Sequence, residues 1–244
     1  MKSSLKPKTL SPSKMLFQIS LLTACFLNYT FSSAQTPEEY TRVYAKDLQK
    51  ALQFLEQNKN ILQAEVSQEY KTILAAVFPE IVRFSDVQNL IETASLELLY
   101  VRFGAYYADF SIGQFQMKPS FLEKLEEYAE KNRLPNYEVM TNYATTDAKL
   151  TREQRLKRMK SVQWQARYLD LFFSAVQYKF NLNQLSEEQK VRFLAAAYNR
   201  GFEQSKEEIN RWIQKRAFPH GMYYKGKQYC YTDIAWWAYQ HYLK

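Results

Sequence analysis

The sequence predicts a mainly α-helical fold with at most a small β-hairpin or extended segment. Three observations predict it. Only 5 Gly and 7 Pro interrupt 244 residues, so turn material is scarce. A Ser or Thr is followed three residues later by Glu or Gln at five places: Thr36 with Glu39, Ser85 with Gln88, Thr151 with Gln154, Ser186 with Gln189 and Ser205 with Glu208. In that pattern the two side chains satisfy the open N–H groups of a helix start. Finally, 46% of the residues are hydrophobic, enough to bury a sizeable core in one domain.

Taken in order, the chain opens with Lys2, Lys6, Lys8 and Lys14, has no acid before Glu38, and carries an apolar run from Met15 to Phe31 that ends in Ser32, Ser33 and Ala34. That is the layout of a secretory signal peptide over residues 1–34, with cleavage before Gln35. Two other readings stand beside it. Leu22, Thr23, Ala24 and Cys25 spell a lipoprotein box, so that a lipidated Cys25 would attach the protein to a membrane, and an uncleaved anchor is the third reading. Export to the periplasm or cell envelope follows from the first two. Residues 1–34 hold four Lys and no acid, so removing them lowers the net charge from +8 to +4. A mildly basic exported domain suits an anionic polymer or lipid surface and does not suit nucleic acid.

Helices are expected over 37–57, 67–78, 86–103, 120–131, 151–179, 187–199, 206–214 and 232–242, with Gly104 as a left-handed cap after Phe103. The stretch 105–117 is aromatic and partly alternating, which predicts extended chain or the hairpin. Residues 151–160 (TREQRLKRMK) concentrate positive charge, read as a solvated helix face or as a docking face for an anionic surface. The C-terminal aromatics, Tyr223, Tyr224, Tyr229, Tyr231, Trp236, Trp237, Tyr239 and Tyr242, read as packing of the last helix, with a cleft wall as the alternative. Cys230 reads as a small buried residue, and with Cys25 removed no internal disulfide can form. Two His and one remaining Cys are too few for a zinc site, so no metal or cofactor is expected.

Three segments carry chemistry together: Ser95-Leu96-Glu97-Leu98, then Ser111 to Pro119 (SIGQFQMKP), then Leu194 to Asn199 (LAAAYN). In order and spacing they resemble the signature segments of the soluble lytic transglycosylase family, which shares its fold with goose-type lysozyme. That family has a Glu at a helix end, a Gly-x-x-Gln-x-x-Pro turn about fifteen residues later, and a distal helix ending in Ala-Tyr-Asn. Here Glu97 stands sixteen residues before Gly113, while Gly113, Gln116 and Pro119 keep the turn's spacing. Leu98 replaces the Ser that usually follows the acid, and Phe115 replaces a Met of the turn.

Glu97 also has an argument of its own. Val87, Leu90, Ile91, Ala94, Leu98 and Val101 make an apolar stripe, and Glu97 falls near its edge. A carboxyl against such a wall loses hydration, which raises its pKa toward a general acid's range. The competing reading is a buried Glu paired with Arg or a helix end.

The resemblance implies a lysozyme-like domain over 35–244 that acts on peptidoglycan strands. Glu97 would protonate the leaving oxygen and then, as a base, help close a 1,6-anhydro ring on the muramic acid without water. Gly113 and Gln116 would floor the glycan groove, with Tyr198 near the acid and Asn199 holding substrate or the helix end. Apart from the resemblance, Tyr231 is the candidate substrate contact among the C-terminal aromatics, whose faces can stack on sugar rings. Asp109 reads as a turn residue or as the second carboxylate that a hydrolase needs. A lysozyme-type muramidase and a non-catalytic peptidoglycan-binding module are the alternatives.

Overall fold

The computed structural model describes residues 36–66, 69–84, 90–219 and 226–243. The signal-peptide and Cys25 readings, the capping pair Ser85–Gln88, and Tyr223 and Tyr224 lie outside them.

Among the described residues twelve α-helices and one two-stranded antiparallel sheet form a mainly α fold. The helices are α1 (Pro37–Val43), α2 (Ala45–Gln57), α3 (Lys59–Glu65), α4 (Tyr70–Phe84), α5 (Leu90–Phe103), α6 (Pro119–Asn132), α7 (Tyr137–Thr141), α8 (Ala148–Lys160), α9 (Val162–Phe180), α10 (Glu187–Arg200), α11 (Lys206–Trp212) and α12 (Tyr231–His241). Strands β1 (Arg216–Phe218) and β2 (Tyr229–Cys230) pair ahead of α12. No helix among the described residues is long and apolar enough to cross a membrane.

Three of the predicted caps are seen. Thr36 accepts from the Glu39 N–H, Ser186 and Gln189 form the complete reciprocal box, and Ser205 accepts from the Glu208 N–H. Thr151 instead lies inside α8, because Asp147 three residues before Leu150 takes that helix's N–H group at 2.8 Å. Two predicted long helices are each broken, at Tyr44 and at Ser161, where the backbone leaves the helical region. Stretch 105–117 holds turns and a single bridge between Ile112 and Met117 rather than strands; the hairpin lies at 216–230.

Helix α4 is the centre of the fold. Every residue from Thr72 to Val82 is buried, and α2, α9, α10 and α12 pack around it. A helix apolar on all sides can be stable only when covered on all sides. It also runs through Pro79 for another turn, six residues past the predicted end at Phe78. That extra turn carries Glu80, the only charged residue between Thr72 and Val82.

Candidate functional site

A cleft of about 210 Å³ opens where the end of α4, the turn before α6 and the end of α10 converge. Of the residues singled out in the sequence, Asp109, Gln116, Tyr198 and Asn199 line it. Glu97 does not, and Glu80 does.

The turn between Ile112 and Met117 is closed by two backbone hydrogen bonds between those residues, of 2.8 and 3.1 Å. Gly113 takes φ +71°, and a Cβ there would come 2.0 Å from the side-chain nitrogen of Gln165. That Gln165 amide accepts from the Phe115 N–H and donates to the Met159 carbonyl, pinning the turn to α9. Gly113 is therefore needed for close approach of α9; it does not line the cleft, which corrects its expected place on the groove floor. Gln116 does line the cleft. It adopts φ +52°, a left-handed conformation unusual outside glycine, and its side-chain amide donates to the Gly113 carbonyl at 3.0 Å. Backbone strain of this kind is kept only where surrounding structure enforces it.

Tyr198, near the end of α10, donates its hydroxyl to the Phe115 carbonyl at 2.7 Å, tying the distal helix to the turn. Burial, and then the neighbouring Glu80, hold its pKa well above the ordinary value. Phe115 is buried edge-on against Phe54, so its side chain fills the core rather than facing the cleft. Asn199 accepts from the Trp212 indole at 2.8 Å. Beyond it, Lys179 donates to the carbonyls of Phe202, Glu203 and Gln204 and so shapes the far rim.

Glu80 is 6% exposed, and its Oε2 has no hydrogen-bond partner among the described residues. Arg83 stands 3.7 Å from that oxygen, beyond hydrogen-bonding distance. Burial pushes the carboxyl up to about 7, against the partial opposition of Arg83, Asn199 and Lys118. Tyr231 is buried behind the acid with no hydrogen bond to its hydroxyl among the described residues, and burial followed by the charge of Glu80 raises its pKa. It is absent from the cleft lining, so its expected contact with substrate is corrected to a position behind Glu80.

Asp109 holds the start of α6: its two oxygens accept from the Ser120 N–H at 2.9 Å and the Ser120 hydroxyl at 2.8 Å. This is the turn-holding role expected as one of its two readings.

Glu97 sits on α5 with Oε2 2.7 Å from Nζ of Lys160 on α8. The predicted apolar stripe is divided where it can be seen: Ala94 and Leu98 are exposed, Leu98 at 68%, whereas Val101 is buried beside Tyr100, which lies off the stripe. Because α5 is apolar on nearly every side, its periodicity carried little information about which side is inward. Glu97 thus stands away from the cleft in an ion pair between helices, with a Lys rather than an Arg and only partly buried, which differs from both of its expected readings.

No family model matches the chain, and neither does a curated protein or a solved structure. Among the described residues no group of His, Cys, Asp and Glu could hold a metal ion.

Proposed function

We propose that the protein cuts the glycosidic bond of peptidoglycan strands as a lytic transglycosylase on a lysozyme-like domain, with Glu80 as its acid and base. One observation carries the reading: a carboxyl buried beside the cleft, with no hydrogen bond to one of its oxygens among the described residues and raised to about 7, faces the same space as Gln116, Tyr198 and Asn199. A general acid must hold its proton near neutral pH, and desolvation is the means of doing so. Placing the acid at Glu80 keeps the turn and the Ala-Tyr-Asn segment of the resemblance but changes its first segment. Glu80 lies thirty-three residues before Gly113, and Ile81 follows it where the family has Ser.

In this mechanism the protonated Glu80 gives its proton to the oxygen that links the two sugars as the bond to the muramic acid C1 breaks. The resulting carboxylate then takes the proton of the C6 hydroxyl as that oxygen bonds to C1, closing the anhydro ring and restoring the acid. One carboxyl serves both steps, and the sugar's own acetamido group supplies the stabilisation a second carboxylate gives in other glycosidases. Asp109 favours no hydrolytic role, since Ser120 engages both its oxygens. The substrate lies outside the cytoplasm, where a signal over 1–34 would send the chain.

The test is product analysis by mass spectrometry on purified sacculi. Wild type and Glu97→Gln should release anhydro-muropeptides, and Glu80→Gln should lose at least a hundredfold. Turnover should fall as pH rises through about 7, because the proton-bearing form of Glu80 disappears there. An active Glu80→Gln would refute the assignment. Reducing-end products would indicate a muramidase, and wall binding without product a binding module.

A further inference from the structure

We infer that the outer face of helices α5 and α8 docks the protein onto a membrane surface that carries anionic lipid. The inference concerns a surface apart from the cleft and stands whether or not the cleft cuts glycan.

Among the described residues ten large hydrophobic side chains are exposed, and five of them fall within ten positions: Leu98, Leu99, Phe103, Tyr106 and Tyr107. Tyr106 is 93% exposed and meets the Tyr107 ring edge-on at 5.2 Å, while Phe103 lies 5.4 Å from Tyr107. Soluble proteins seldom leave so much neighbouring apolar surface in water without a use for it.

Helices α5 and α8 run antiparallel, since Glu97 meets Lys160 and the Val101 carbonyl meets Arg152. At about 100° per residue, Leu98 and Arg102 of α5 and Leu150 and Lys157 of α8 come to one side of the pair, all of them exposed. The buried Tyr100, Arg155 and Met159 lie on the other side. Two acids of the pair, Glu97 and Glu153, are matched by Lys160 at 2.7 Å and Lys149 at 3.9 Å. Arg102 and Lys157 have no carboxylate partner among the described residues. The backbone beneath is fixed: Gly104 ends α5 at φ +90° with its N–H on the Tyr100 carbonyl at 2.7 Å, and Arg152 holds the carbonyls of Val101 and Arg102.

Unpaired cations set among leucines and aromatic rings suit one occupant. A bilayer surface offers acyl chains to the apolar groups and phosphates to the cations, and tyrosine rings sit well at the boundary between the two. A second copy of the chain would set the same cations against each other, and a glycan strand would gain little from exposed leucines.

The experiment is flotation of residues 35–244, which hold every described element, with vesicles of phosphatidylcholine and with vesicles in which phosphatidylglycerol replaces part of it. Wild type should float with the mixed vesicles and much less with the neutral ones. Leu98→Gln combined with Phe103→Gln, at exposed positions where the fold does not depend on them, should lower partitioning about tenfold or more. Arg102→Gln with Lys157→Gln should lower it about tenfold on mixed vesicles only. Lys46→Gln with Lys206→Gln removes the same charge from α2 and α11 and should change it less than about twofold. A wild type that stays off the mixed vesicles overturns the inference. So does an equal loss in the Lys46 and Lys206 pair, which would leave net charge as the whole cause. A dimer in sedimentation velocity that Leu98→Gln with Phe103→Gln dissolves would give the face to a second copy. Binding to sacculi that this variant loses while lipid binding stays would give the face to the wall, and either result overturns the inference too.

Discussion

Glu80 is the residue at which stability and the proposed chemistry pull apart. With its pKa raised from 4.5 to about 7, the folded state holds a proton that the unfolded chain releases earlier. Below 4.5 the carboxyl is neutral in both states and has no effect. As pH rises from there the unfolded chain ionises first and stability is lost, until the penalty is complete above about 7. Glu80→Gln cannot ionise. It should therefore match wild type near pH 4 and exceed it at pH 8 by on the order of 3 kcal/mol, read by urea unfolding at the two pH values. An equal effect at both would mean that the carboxyl is not strained by burial. The sequence displayed this residue in full view, as a lone charge in an otherwise apolar run, and the desolvation argument made for Glu97 applies to it with more force. The helix was expected to end at Phe78, two residues short of it, whereas it runs on through Pro79 to Phe84. Gln116, Tyr198 and Asn199 were legible because their motif spacing is local. Tyr231, Gly113 and Glu97 were misplaced because which helix backs onto each is a tertiary fact.

Helix α8 shows the same division between local and tertiary information. Its arginines were read as part of a solvated or docking face, yet all three bind other elements. Arg152 donates to the carbonyls of Val101 and Arg102, the open acceptors at the end of α5. Arg158 donates to the carbonyls of Met140 and Asn142 at the end of α7 and lies over the rings of Tyr143 and Trp164. Arg155 is buried against Glu126 of α6, with Nη2 at 2.7 Å, and Tyr168 of α9 donates to the same carboxylate at 2.6 Å. Removing one member of a buried ion pair leaves the other charge uncompensated. Arg155→Met should lower stability by about 3–5 kcal/mol, and pairing it with Glu126→Leu should recover most of that loss, measured as a double-mutant cycle by chemical denaturation. Equal losses in the single and double variants would mean that packing rather than charge holds this joint. Caps such as Ser186–Gln189 were legible because they involve residues three apart. The breaks at Tyr44 and Ser161 were missed, since neither carries a Gly or Pro, although Ser161 has a local mark, its hydroxyl accepting from the Trp164 N–H as the cap of α9.

At the scale of the molecule, one helix serves both the core and the site. Leu74, Val77 and Phe78 of α4 are fully buried, and one turn further the same helix delivers Glu80 to the cleft. Cooperative unfolding should follow, since α10 and α12, which supply Tyr198 and Tyr231, pack on α4 as well as on each other. Residues 35–244 contain Cys230 alone, so no internal disulfide can hold one part together while another melts. Leu74→Ala opens a cavity at the point where these helices meet. It should cost about 2–5 kcal/mol, lowering Tm by roughly 5–15 °C for a domain of this size. The measurement that separates a single unit from two is coincidence of probes. Far-UV circular dichroism reports the helices throughout, while tryptophan fluorescence reports Trp164 on α9, Trp212 on α11, and Trp236 and Trp237 on α12. In wild type and in Leu74→Ala alike, the two signals should change at one temperature, with or without reductant. Fluorescence that shifts ahead of the dichroism would show that the helices behind the acid let go first, and that α4 does not bind core and cleft into one transition.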